Sequence, residues 1–168
     1  MIAEARARNA DPRIRYEVCG IAEYSYPAGY YDLVVSNLAL HYLADLDDIY
    51  RKVFSTLRPG GVFLFNIEHP VFTAGVREDW VRDTEGRPVC WPVDNYYYPG
   101  ERTTLFLGQE VKKQHHTLTQ ILMGLIRCGF ALEAVEEAMP DPSMLDLPGM
   151  ADEMRRPMML LVKARKPV

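Results

Sequence analysis

Glu68 and His69 follow directly on an apolar run over residues 62–67, and no other pair in the chain is better suited to handling a proton. An imidazole titrates near neutrality, so it can accept a proton from a hydroxyl or an amine. A loop histidine that only orients the next segment through hydrogen bonds fits the same residues. His41, beside Tyr42 at the entrance to a predicted helix, reads either as a packed, hydrogen-bonded side chain or as a polar group facing a substrate. His115 and His116 precede another predicted helix, where one can line a site and the other only cap. Adjacent side chains rarely share one ligand geometry, and Cys19, Cys90 and Cys128 have no zinc-site spacing, so no metal is expected.

The elements that must position these groups lie in residues 31–70. A short apolar run over 31–36, rich in β-branched residues, reads as a parallel strand covered on both faces. Asp45 then caps a helix whose first turn carries Asp47 and Asp48 and whose apolar stripe is Leu46, Ile49, Tyr50, Val53, Phe54 and Leu57. Pro59, Gly60 and Gly61 end it before a second strand over 62–67. Strand, helix and strand in this order imply an open α/β sheet with right-handed crossovers. Such sheets bind ligands at the carboxyl ends of their strands, here Ser36, Asn37 and Leu38 and residues 66–70.

Around this unit the spacing predicts a helix over 1–9, a strand over 14–18 and a loop over 19–30. Residues 68–108 hold both tryptophans, several prolines and glycines and Tyr96, Tyr97 and Tyr98, with no regular core element visible. Between a strand and a helix, an insertion over 69–109 is most economically a cap on the ligand-binding edge; an ordered surface loop packing its own aromatics fits as well. A strand over 110–114, a helix opened by the capping-box residues Thr117 and Gln120 and ended by Gly129, a strand over 130–135, a loop over 139–156 and a strand over 158–166 follow. They suit an antiparallel hairpin added to a parallel sheet.

With 168 residues, 48% of them apolar, the chain suffices for one globular domain. A net charge of -4 offers no footprint for nucleic acid, and Lys112-Lys113 and Arg155-Arg156 read as solvated surface. Three widely spaced cysteines point to reduced thiols and a cytoplasmic protein, and no apolar run is long enough to cross a membrane.

Taken together, Tyr31-Asp32-Leu33-Val34-Val35-Ser36-Asn37 with Leu40-His41-Tyr42, and Leu57-Arg58-Pro59-Gly60-Gly61-Val62-Phe63-Leu64, resemble the fourth- and fifth-strand signatures of class I S-adenosylmethionine-dependent methyltransferases of the type 11 group. A subgroup is matched further by Glu68-His69-Pro70-Val71-Phe72-Thr73-Ala74, Gly100-Glu101-Arg102 on a loop, His115, Gly129-Phe130 and Arg156-Pro157-Met158. The resemblance implies S-adenosyl-L-methionine as cofactor and direct displacement of its methyl group onto a small-molecule acceptor. It places Gly20, Ile21 and Ala22 against the adenine and Ser36, Asn37 and Leu38 at the methionine end. It leaves His41, Glu68, Arg102 and His115 for the substrate and His69 as proton acceptor. Trp80, Trp91 and Tyr96 to Tyr98 become either an aromatic wall for the substrate or the packing of the lid.

The family's glycine-rich loop and its ribose-binding acid have no counterpart here, and Met1-Ile2-Ala3-Glu4-Ala5-Arg6 matches the helix after the family's second strand. The expected fold is therefore an incomplete Rossmann-like sheet, its first two strands absent, with a C-terminal antiparallel hairpin. The two unpaired edges this leaves invite pairing. The chain is expected either to be an incomplete version of a longer protein or to persist by dimerisation, strand exchange or direct pairing of its remaining strands. A non-catalytic remnant or interaction module is the alternative to a methyltransferase.

Overall fold

The computed structural model describes residues 2–75, 78–106 and 108–168. Its first helix, α1 (Ile2–Arg8), buries none of its residues, and Arg6 donates to the Tyr16 carbonyl at 2.9 Å. The strand expected over residues 14–18 is not formed. A strand needs a neighbour to complete its ladder, and the described residues place none beside this segment.

Next come β1 (Tyr31–Asn37), α2 (Leu46–Thr56) and β2 (Leu57–Glu68). Asp45 accepts a hydrogen bond from the Asp48 amide at 2.9 Å, which starts α2, and Leu46, Ile49, Tyr50 and Val53 face the core. β2 begins at Leu57, earlier than the glycines imply, because Leu57 already pairs with Tyr31. Gly60, at φ +79°, bends the start of the strand without interrupting it.

The expected cap, residues 69–109, holds α3 (Pro70–Thr73), a two-stranded ribbon of β3 (Val81–Arg82) and β4 (Pro88–Cys90), and β5 (Gly100–Phe106). Residues 76, 77 and 107 of that span lie outside the described residues. β5 pairs antiparallel with β6 (Gln109–His115), so the stretch is more regular than its composition implied, and Arg102 stands on a strand rather than a loop. α4 (Leu118–Cys128) opens with the reciprocal Thr117 and Gln120 capping box and stops at Gly129. Gly124 lets α4 approach α2, since a Cβ there would meet the Tyr50 ring at 2.9 Å. After β7 (Ala131–Glu137), residues 139–156 carry α5 (Met150–Glu153) and lead into β8 (Met159–Arg165).

The main sheet runs β1-β2-β8-β7, with β1 parallel to β2 and β8 antiparallel to both β2 and β7, which makes the C-terminal hairpin. Tyr50, Leu46, Ile121 and Leu125 from α2 and α4 pack with Phe63, Phe65, Leu160 and Val162 in one core. β1 forms one edge of the sheet, and on its neighbouring open face Leu33, Val35 and Leu64 are 54%, 58% and 39% exposed.

Two basic pairs depart from the solvated surface expected of them. Lys112 stays exposed beside Glu101, but β6 turns Lys113 inward, where it is buried between two carboxylates. Arg155 is partly exposed, whereas Arg156 is buried over the rings of Trp91, Phe72 and Trp80 at 4.3, 4.9 and 5.4 Å. Among the described residues no helix is long and apolar enough to cross a membrane, and no group of three His, Cys, Asp or Glu side chains could hold a metal ion.

Candidate functional site

At the carboxyl ends of β1 and β2, Asn37 and Asn66 are register partners, and Asn66 Nδ2 donates to Asn37 Oδ1 at 3.3 Å. The Leu38 amide donates to the Asn66 carbonyl at 2.9 Å, while Leu38 itself sits at φ +52°. A left-handed leucine costs roughly 1–2 kcal/mol, so the surrounding ladder must hold the chain in this turn. Ser36 Oγ and Asn66 Oδ1 are buried without a hydrogen-bond partner. Such orphaned groups suit the charged amino-acid end of a ligand.

Gly20, Ile21 and Ala22 form a turn held elsewhere. The Tyr26 hydroxyl donates to the Ile21 carbonyl at 3.0 Å, Lys52 of α2 donates to the Ala22 carbonyl at 2.9 Å, and Ile21 packs on the core. Their hydrogen bonds join this turn to Tyr26 and Lys52, not to the other predicted residues. The described residues thus leave two orphaned polar groups where β1 and β2 end, of a kind that a cofactor's charged amino-acid end could pair with, and show no carboxylate beside them for a ribose.

Past Ser36 to Leu38, the 3-10 turn Leu40–Tyr42 buries His41, whose Nδ1 accepts from the Glu68 amide at 3.4 Å. Burial, then the charge of Lys113, pushes the His41 imidazole down to about 4, so it stays neutral and structural at ordinary pH. Glu68 turns its side chain to Lys113, with Oε1 at 2.6 Å from Nζ, and Glu78 of the cap reaches the same Nζ at 2.9 Å. Burial pulls the Lys113 ammonium down, yet hydrogen bonds to the two carboxylates carry it above its ordinary value. Burial raises Glu78, against the pull of Lys113.

His69 is 3% exposed and caps α3 by accepting the Val71 amide on Nδ1 at 3.0 Å. A neutral ring with Nδ1 accepting carries its proton on Nε2, which lies 2.9 Å from Glu137 Oε1, off the line of a well-formed hydrogen bond. Burial lowers its pKa and Glu137 pulls the other way. His69 reaches a substrate proton only if Val71 releases Nδ1.

His115 is fully buried, with Nδ1 at 2.7 Å from Thr73 Oγ1 and Nε2 at 2.9 Å from the Tyr96 carbonyl, and His116 Nε2 meets the Leu43 carbonyl at 2.8 Å. Burial lowers both imidazoles. Arg102 spends its guanidinium on the carbonyls of Tyr98, Glu101 and Asn95 at 2.7, 3.2 and 3.3 Å, shaping the tyrosine turn. Of the residues expected at the substrate, the structure joins His41 to Glu68 and ties His115 to the cap, and it leaves Arg102 engaged with the backbone of the cap. Sequence reasoning missed Glu78, Lys113, Glu137 and Arg156. The alternation Val111, Lys113, His115 along β6 carried the signal for one of them.

Residues 1–65 match a family described as a methyltransferase domain. Over its whole length the chain is similar to a solved Listeria monocytogenes protein assigned to the S-adenosylmethionine-dependent methyltransferases, at 44% identity and a TM-score of 0.95, covering 76% of that chain. A solved S-adenosylmethionine-dependent methyltransferase from Mesorhizobium loti is 43% identical with a TM-score of 0.88, over 98% of this chain and 75% of its own. An uncharacterized protein of Haemophilus influenzae is 28% identical over 145 residues, 83% of this chain. The chain spans 56% of that curated relative's length.

Proposed function

This chain belongs to the S-adenosylmethionine-dependent methyltransferases, and we propose that it acts in methyl transfer from that cofactor to a small molecule by direct displacement. One observation carries the reading. The edge where β1 and β2 end holds the orphaned Ser36 Oγ and Asn66 Oδ1 and the left-handed Leu38, and it stands beside the buried Glu68 under the residues 69–109 that we take as a substrate cap.

In this proposal Ser36, Asn37 and Leu38 hold the methionine end of the cofactor, and Gly20, Ile21 and Ala22 lie against its adenine. The bound cofactor supplies an activated methyl group. His41, Glu68 and His115 shape the acceptor side, and Arg102 fixes the tyrosine turn above it. Alignment and exclusion of water contribute most of the rate, as expected for a displacement between positioned groups. His69 sets where the cap begins, and it takes the acceptor's proton in conformations that free Nδ1 from Val71. We place the protein in the cytoplasm, where its free thiols stay reduced.

A second reading has its own support. Because Tyr30, Leu33 and Val35 are exposed along and beside the β1 edge, the isolated chain can act as an interaction module, pairing with a second copy by strand addition or exchange. Calorimetry with S-adenosylhomocysteine separates the two readings: micromolar binding removes the non-catalytic one, and no binding removes catalysis by this chain alone. Sedimentation equilibrium decides the dimer, which a monodisperse monomer at high concentration rules out.

A further inference from the structure

We propose that Glu68 is the anchor for the small molecule and that the group it takes is an alkylammonium, which narrows the acceptor to amine-bearing molecules. The inference rests on the methyltransferase reading for the word acceptor, but the binding chemistry stands on the buried Glu68, Glu78 and Lys113 cluster itself.

The Glu68 side chain is 9% exposed; one carboxylate oxygen is held by Lys113, and the other, Oε2, is buried without a partner. Glu78 is 7% exposed and holds the same ammonium through Oε2. Two carboxylates against one ammonium leave a surplus negative charge in a place shielded from water, which is costly unless a proton or a cation joins them. Among the described residues, the groups packed around the cluster do not provide that cation. His41, from the turn over β2, is neutral because its pKa is held at about 4. Arg156 is committed to Glu153 at 2.7 and 3.0 Å and to the aromatic rings. His115 is turned to Thr73 and Tyr96. A proton on Glu78, which burial favours, is the resident competitor. A carboxylate or phosphate ligand would bring a third anion to Glu68 and Glu78. An ammonium gives Oε2 its missing donor and cancels the charge.

The test compares n-butylammonium chloride with sodium butyrate and sodium chloride at matched ionic strength, reading the melting temperature and the amide spectrum of the full chain. Butylammonium should raise the melting temperature and move the resonances of Glu68, Glu78 and Lys113, whereas butyrate should not. Glu68→Gln keeps the shape, removes the charge and should weaken butylammonium binding at least about tenfold. Glu136→Gln, on the exposed side of β7, should bind as the parent does. Equal responses to butylammonium and butyrate, or full butylammonium binding by Glu68→Gln, overturn the proposal. If Glu68→Gln does not fold, Glu78→Gln supplies the same comparison. S-adenosylhomocysteine titrated in parallel keeps the two ideas apart: binding of it without amine preference sinks only the anchor, and amine preference without it sinks only catalysis by this chain.

Discussion

The two ends of this molecule are built on opposite terms. Around the residue 69–109 segment, charged and polar side chains are buried against one another, Lys113 between Glu68 and Glu78, Arg156 between Glu153 and three aromatic rings, His115 between Thr73 and Tyr96, yet Glu68 Oε2, Glu78 Oε1 and Arg156 Nε are left without a hydrogen-bond partner. At the β1 edge Leu33 and Val35 lie open, and nothing from α1 is buried. Burying charge is costly, so the first region depends on each ion pair staying intact; leaving apolar strand surface exposed is costly in another way, so the second is where the fold's own contacts run short. The largest test of that contrast is Lys113→Met. It leaves Glu68 and Glu78 facing each other without a cation and should cost about 3–5 kcal/mol in urea unfolding. Combining it with Glu68→Gln and Glu78→Gln should recover most of the loss, because no stranded charge remains.

Acid should attack the same region. His41 is held at about 4 in the folded state against an ordinary value of 6.5, so between those values the unfolded chain binds the proton and the folded chain does not. Stability is therefore full above pH 6.5 and falls as the pH drops toward 4, by about 3 kcal/mol from this residue alone. His69, His115 and His116 are lowered too and add slope of the same sign. Urea midpoints measured from pH 7.5 to 4.5 should show this fall, and His41→Gln should flatten part of it. Arg156→Ala comes next, at about 2 kcal/mol, since it strips a cation from three rings and strands Glu153. Tryptophan emission should shift with it, because Trp91 and Trp80 lose their cover.

How much of this was legible in the sequence follows the range of the forces involved. The Asp45 cap, the α2 stripe from Leu46 to Phe54, the Thr117 and Gln120 capping box and the stop at Gly129 are local and stand where the sequence places them, while Leu57, the last residue of the expected stripe, opens β2 because it pairs with Tyr31. Lys113 pairs with Glu68 across 45 residues, a separation over which no local pattern marks its charge as buried. Arg156 was misread for a different reason: cation and ring contacts have no spacing rule. The segment over residues 14–18 has strand-like composition, but a strand is a property of two segments, and its partner is not among the described residues. At the site, the carboxyl ends of β1 and β2 were visible as an edge. What His69 and Arg102 do there depends on backbone groups, the Val71 amide and the Tyr98 carbonyl, that carry no mark in the sequence.

The smallest effect sharpens the comparison most. Val35→Ser on the open face should change the stability of the isolated chain by less than about 0.5 kcal/mol, because the side chain is already 58% exposed and loses little on exposure to water. On the opposite, core face of β2, Phe63, the register partner of Val34, is fully buried and would cost about 3–5 kcal/mol as Ala. A loss above about 1.5 kcal/mol for Val35→Ser would mean that another surface covers this face in solution. If that loss also grew with protein concentration, the covering surface would be a second copy, since only an intermolecular contact makes stability depend on concentration.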